Sequence, residues 1–300
     1  MLEVSKLAGI VPPLATPLQA DESLDQAALD RMVDRLLAAG VHAIFVAGST
    51  GEFAALTDDV RKQVVEQTVQ RVAGRVPVLV GVGDSGTRRC EAWARQAEAA
   101  GADAVVAILP YYYATPSTDE VLAHFEALAG ATGLPLVLYN IPSRTKSAIP
   151  VEAVARLRTQ ERVIGIKDSA EEMNTFYRLL ELRSERFHVL QGSEMQCLAS
   201  LLLGADGAVL GISNLAPRLC VNLYQAARAG QLDLARSYQA VMADLNRIYF
   251  LPHTSPYGSL KYALSLLGVC QPHVTRPLAS PDAAARGQIE ALVKKHRDQF

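Results

Sequence analysis

The stretch "AEAAGADAVVAILPYY", residues 97–112, holds the repeating unit of the fold. A helix-period segment runs into Gly101, where a left-handed C-cap costs least. A short, nearly continuous apolar run follows, as expected of a strand covered on both faces. A loop carrying proline and tyrosine closes the unit. The same order returns in "LLAAGVHAIFVAGST" (36–50) and "LLLGADGAVLGIS" (201–213). Marked this way, strands end near Ala15, Ala47, Val82, Leu109, Tyr139, Lys167, Gln191 and Leu210.

Strands alternating with helices in this number predict an α/β fold, a (β/α)8 TIM barrel over residues 1–229. A doubly wound open sheet is the rival, and it calls for GxGxxG at the opening of the first helix. The first loop, "PPLATPLQADESLD" (12–25), has no such motif. After Gly230 the alternation stops. Segments "QLDLARSYQAVMADLNRIYF", "SLKYALSLLG" and "SPDAAARGQIEALVKKH" predict a C-terminal helical extension over 230–300, the last helix with Ser280 as N-cap and Pro281 at N1.

Composition narrows the function. The chain has 300 residues, half of them hydrophobic and a fifth charged, as in a globular protein with a large core. A net charge of −2 without a basic block gives no nucleic-acid or membrane-surface footprint. No apolar stretch reaches transmembrane length, and the start, "MLEVSKLAGIVPP", lacks a signal-peptide layout. The scattered Cys90, Cys197, Cys220 and Cys270 predict reduced, packed thiols in a cytoplasmic protein. The histidines show neither HxxH nor HExxH spacing, so no metal site is expected.

Barrel chemistry gathers at the C-terminal ends of strands. There the sequence places "GSTGE" (48–52), "PYYY" (110–113), "YNIPSRT" (139–145), "KDS" (167–169) and "GSE" (192–194). Each has a plain structural reading as turn or packing cluster; their shared location is the stronger signal. Lys167 ends the apolar run "VIGIK", sharing a strand face with Val163 and Gly165, while Asp168 points to the other. Gly165 is expected to leave room beneath it. A lysine there either snorkels to solvent or acts as a partly desolvated amine that attacks a carbonyl to form a Schiff base. Tyr139 ends the preceding strand, about 5 Å away, where a phenol can shuttle the protons of carbinolamine dehydration.

With these residues in place, the sequence resembles the dihydrodipicolinate synthase / N-acetylneuraminate lyase family from about Gly9 to Gly268, through "GSTGE", "PYYY", "YNIPSRT" and "GIKDS" in that order. The resemblance implies a barrel with C-terminal helices, in a homotetramer, acting as a Schiff-base lyase on pyruvate and an aldehyde without metal or organic cofactor. It also assigns roles. Lys167 matches the Schiff-base lysine and Tyr139 the proton-relaying tyrosine. Thr50 matches the group that holds the pyruvate carboxylate. Ser49 stands where the synthases usually have threonine in the relay, and Tyr112 matches a tyrosine lent across a subunit interface. Arg144 matches the arginine for the carboxylate of aspartate semialdehyde. Gly192 and Val209 match positions that line the site through their backbones.

Some positions depart from the synthase pattern. "SPYGSLK" (255–261) replaces Asn-Pro-x-Pro-x-Lys, and "FAALTDDVR" (53–61) lacks the histidines of a lysine-inhibited enzyme. Arg144 favours a synthase; these departures favour an aldolase of the 2-keto-3-deoxy sugar-acid or N-acetylneuraminate type. A non-catalytic barrel, the remaining reading, predicts loss of the lysine or tyrosine, and both are present.

Overall fold

The structure, a computed structural model, describes residues 7–114 and 117–300. The signal-peptide reading of the start, "MLEVSKLAGIVPP", falls in part outside them, over residues 1–6. Eight strands, β1 (Gly9–Ile10), β2 (Ile44–Val46), β3 (Val78–Gly81), β4 (Ala104–Ile108), β5 (Leu136–Asn140), β6 (Val163–Asp168), β7 (His188–Gln191) and β8 (Gly207–Ala208), pair in parallel in the order β1-β8-β7-β6-β5-β4-β3-β2. The two ends of that sheet meet. Pro13 bridges Phe45, His42 N donates to Ile10 O (2.9 Å), and Leu14 N donates to Phe45 O (2.8 Å). The expected (β/α)8 TIM barrel is therefore closed.

The β1 run was expected to reach Ala15, whereas its regular pairing stops at Ile10. Pro12 and Pro13 have no N–H to give the ladder. The chain stays extended past them, and Phe45 N still donates to Pro12 O (2.9 Å). Asn214 reinforces this seam: its Nδ2 donates to Pro13 O (2.9 Å), and its Oδ1 accepts from Ala15 N (3.0 Å).

Each strand is followed by a helix packed outside the barrel. The first, Gln26–Ala38, starts where Asp25 accepts from Ala28 N, and buries Ala28, Leu29, Met32, Val33 and Leu36 as a single stripe. The helix after β4, Thr118–Ala131, opens with a capping box between Ser117 and Glu120. Helices Leu232–Asn246, Pro256–Leu266 and Ala283–Lys295 form the C-terminal extension. Buried Met242, Leu245, Ile248 and Leu260 join the same apolar core as the barrel strands.

The last helix corrects one expectation. Its N-cap is Asp282, which accepts from Ala285 N (2.8 Å), not Ser280, and Pro281 precedes the cap. Aspartate caps as well as serine and adds a negative charge where the helix dipole favours one. All four cysteines are buried and unpaired, and burial pushes their thiols up, Cys90 to about 12 and Cys270 to about 11. Among the described residues, no helix is long and apolar enough to cross a membrane.

Candidate active site

Lys167, next to last in β6, lies in register with Tyr139 of β5 and Leu190 of β7. Both candidate side chains are almost enclosed, Lys167 at 5% exposure and Tyr139 at 4%. The Lys167 Nζ lies 3.9 Å from the Tyr139 ring centroid and 5.4 Å from that of Phe45, which meets Tyr139 edge-on. An ammonium over ring faces gains cation–π attraction that offsets part of its lost hydration.

Neighbouring residues explain why this lysine fits. Asp168, on the opposite face, accepts from Asn140 Nδ2 (2.6 Å) and stays out of reach as a counter-ion. Burial pushes its carboxyl up, with the Asn140 hydrogen bond pulling the other way. Gly165 does not leave an empty space beneath Lys167 as expected. A Cβ there would lie 2.6 Å from His188 O and 2.9 Å from Leu7 Cδ2, so Leu7 fills the barrel floor. Room for the amine comes from Gly192, whose Cβ would lie 3.0 Å from Lys167 Cε and within 2 Å of Ser169 Oγ.

The "GSTGE" segment leaves β2 through Ala47 at positive φ, then forms a 3-10 turn over Ser49–Gly51. Gly51 N donates to Gly48 O and Glu52 N to Ser49 O, each at 3.0 Å, while Thr16 Oγ1 donates to Gly51 O (2.8 Å). The turn therefore aims Ser49 and Thr50 at the mouth. Arg144 rises on a one-turn helix, Pro142–Thr145, that starts with proline and ends at Lys146 in the left-handed region.

These groups face one cavity of about 350 Å³. Ser49, Thr50, Tyr139, Arg144, Lys167, Gly192 and Val209 all line it. Tyr112 does not. It is 65% exposed, stacked edge-on against Tyr113 with 4.9 Å between ring centroids, outside the cavity of its own chain.

The cavity also contains residues that the sequence reading did not single out: Glu194, Tyr249 and Tyr257. Burial pushes the Glu194 carboxyl up; a hydrogen bond from Ile212 N (3.1 Å) to Oε1 and the charge of Lys167 oppose that shift. The Tyr249 hydroxyl is buried without a hydrogen-bond partner among the described residues, and burial pushes this phenol well above its usual range. Gly211 keeps space open between the two, since a Cβ there would sit 2.8 Å from the Tyr249 hydroxyl and 3.4 Å from Glu194 Oε1. Tyr257 is raised by burial and held back by the charge of Arg144. Glu194 closes the quoted "GSE" segment and so carried a positional signal. Tyr249 and Tyr257 come from the helical extension, where no strand end marks them.

The chain matches the dihydrodipicolinate synthetase family over residues 6–296. It is 39% identical over 287 residues to a protein of Hyphomonas neptunium named 4-hydroxy-tetrahydrodipicolinate synthase, covering 95% of this chain and 97% of that one. Among solved structures it resembles the dihydrodipicolinate synthase of Bacteroides thetaiotaomicron (36% identity, TM-score 0.91, 96% of this chain and 98% of that one). It also resembles an E. coli K12 prophage protein of the dihydrodipicolinic acid synthase family, determined in complex with pyruvate (32% identity, TM-score 0.91, again 96% and 98%). The chain belongs to the dihydrodipicolinate synthetase family and is an enzyme of its lyase and aldolase type.

Proposed function

We propose that this member of the family condenses pyruvate with aspartate semialdehyde, as a 4-hydroxy-tetrahydrodipicolinate synthase does, through a Schiff base on Lys167. The observation that carries the reading is the enclosed Lys167 amine over the Tyr139 ring, in a cavity shared with Ser49, Thr50 and Arg144.

In this scheme the Lys167 amine, in its neutral form, adds to the C2 carbonyl of pyruvate. Loss of water then gives an iminium ion. Thr50 holds the carboxylate. Removal of a C3 proton yields an enamine, which attacks the aldehyde carbon. The amino group of the aspartate semialdehyde part then adds to the iminium carbon, the ring closes, and Lys167 leaves as the free amine. The one water lost in forming the iminium is thus the water of the overall condensation. Tyr139, with Ser49, moves the protons, and Tyr112 of a neighbouring subunit completes the relay in a homotetramer. Arg144, beside Tyr257, receives the distal carboxylate of the aldehyde as a bidentate fork. Gly192 and Val209 shape the walls. The iminium is the electron sink, so the scheme calls for no metal or organic cofactor. We place this chemistry in the cytoplasm, where its small-molecule substrates are made.

Glu194 and the unpartnered Tyr249 hydroxyl favour a second reading. A carboxyl and a phenol facing one gap suit substrate hydroxyls, as in cleavage of a 2-keto-3-deoxy sugar acid or an N-acetylneuraminate-type substrate with release of pyruvate. The chemistry at Lys167 is common to both. Borohydride reduction with pyruvate, followed by peptide mass mapping, tests the Schiff base: no increment on Lys167 overturns it. A panel of aldehydes and 2-keto-3-deoxy acids then decides between the two substrates.

A further inference from the structure

Glu52 ends the turn that presents Ser49 and Thr50, and it adopts φ 58°, a conformation glycine takes more readily. Its side chain is 4% exposed and is held by residues of the helical extension. One carboxylate oxygen forms an ion pair with Lys261; the other accepts from both the N–H and the hydroxyl of Thr275, each at 2.8 Å. Lys261 is fully buried and also donates to His273 O (2.8 Å). Three separate segments thus converge on one carboxylate: the 48–52 loop, the helix Pro256–Leu266 and the loop around 273–275.

That helix links the pair to the other side of the cavity. Tyr257 and Lys261 are four residues apart and share a helix face. Tyr257 lines the cavity with Arg144, while Lys261 pairs with Glu52. A buried ion pair is a poor source of net stability, because desolvation consumes most of the attraction and apolar residues of similar volume pack as well. What the pair does provide is a fixed distance and direction between the elements that carry it.

We propose that Glu52 and Lys261 are positioning residues: their ion pair sets the carboxylate-binding turn and the helix bearing Tyr257 in one register, so that donor and acceptor sides of the cavity are aligned together. This rests on the reading of Lys167 and Thr50 given above. The pair touches no substrate and acts through Thr50 on one side and Tyr257 on the other.

The test uses Glu52→Gln, which keeps shape and an acceptor for Thr275, and the paired variant Glu52→Leu with Lys261→Met, which replaces the ion pair by apolar packing. The pyruvate concentration at half-maximal borohydride trapping, the thermal midpoint and amide exchange over residues 48–56 are measured on intact protein. In Glu52→Gln, half-maximal trapping should need about tenfold more pyruvate or more, in line with the penalty for ångström-scale misplacement of reacting groups, with faster exchange over 48–56. The paired variant should regain the thermal midpoint without regaining the pyruvate response. A lowered midpoint with an unchanged pyruvate response, or recovery of both in the paired variant, overturns the proposal. If the wild-type protein traps no pyruvate, the Lys167 reading falls, and unchanged exchange over 48–56 in Glu52→Gln then overturns the positioning role separately.

Discussion

The Lys167 amine sits over the face of Tyr139, 3.9 Å from its ring centroid, and the two residues are direct cross-strand neighbours in register. In the proposed scheme, ring and hydroxyl therefore have separable duties. Tyr139→Phe retains the surface under the amine but removes the proton carrier. It should slow pyruvate trapping by roughly 10²–10⁴-fold with an unchanged thermal midpoint, whereas Lys167→Ala abolishes trapping altogether. Trapping by Tyr139→Phe at the wild-type rate would remove the phenol from the mechanism.

Gly192 is a second point of leverage. An alanine there places a methyl group against Ser169 Oγ, Asp168 O and the Lys167 side chain. Overpacking of this kind costs about 1–3 kcal/mol, and the flexible lysine is the neighbour most able to move. Gly192→Ala should fold, melt at a lower temperature and trap pyruvate more slowly than wild type; equal trapping rates would show that the amine is not confined by this glycine.

Arg144 should govern the acceptor and not pyruvate, since it stands on a separate one-turn helix, beside Tyr257 in the cavity wall. Losing a charge-assisted pair with a substrate carboxylate costs about 1.5–3 kcal/mol, roughly 10- to 150-fold in equilibrium terms. Arg144→Ala should lower activity with aspartate semialdehyde by that order while pyruvate trapping survives. If wild-type protein ignores aspartate semialdehyde and cleaves a 2-keto-3-deoxy acid, the Glu194–Tyr249 side of the cavity sets the substrate.

Glu194 predicts a dependence of stability on pH. Burial raises its carboxyl above the usual 4.5, so the folded protein keeps this proton to higher pH than the unfolded chain does. Its contribution is fully present below the unfolded value and is lost as pH rises through the folded one. Glu194→Gln removes that loss and can still accept from Ile212 N. Its thermal midpoint relative to wild type should therefore be more favourable at pH 8 than at pH 4. A difference independent of pH between those values contradicts this account.

Free L-lysine at millimolar concentration should leave initial rates unchanged. Arg61 already fills the space behind the "GSTGE" loop, its guanidinium 4.0 Å from the Trp93 ring centroid and donating to Gly81 O (2.8 Å) and Gly83 O (3.2 Å). Burial lowers it to about 10, with Asp84 opposing, which leaves it charged at neutral pH. A second cation would meet repulsion there. Saturable inhibition would show that lysine binds elsewhere.

The barrel and most of the cavity were legible because they depend on local order. A glycine stop followed by an apolar run marks a strand, and its last residues mark the mouth; Lys167, Tyr139, Ser49 and Thr50 are found this way. Tyr112 was legible as a loop residue, but its direction, outward beside Tyr113, is set by loop geometry that no period encodes. Tyr249, Tyr257 and Lys261 were not legible. They reach the site by packing of the helical extension onto residues far back in the chain, and amphipathic periodicity says which face is buried without saying against what. The early end of β1 was readable in retrospect from Pro12 and Pro13.

The Asn214 seam has a bearing on biosynthesis. β2 through β7 can pair as they emerge, each with the strand just made. β1 can do so on one side only, against β2: its other partners are Gly207 and Ala208, and the amide that ties down Pro13 and Ala15 belongs to Asn214. At roughly 5–20 residues per second on the ribosome, the first strand waits about 10–40 s for them. During that interval the nascent chain carries two unpaired parallel edges, the state in which strands most readily join a neighbouring copy.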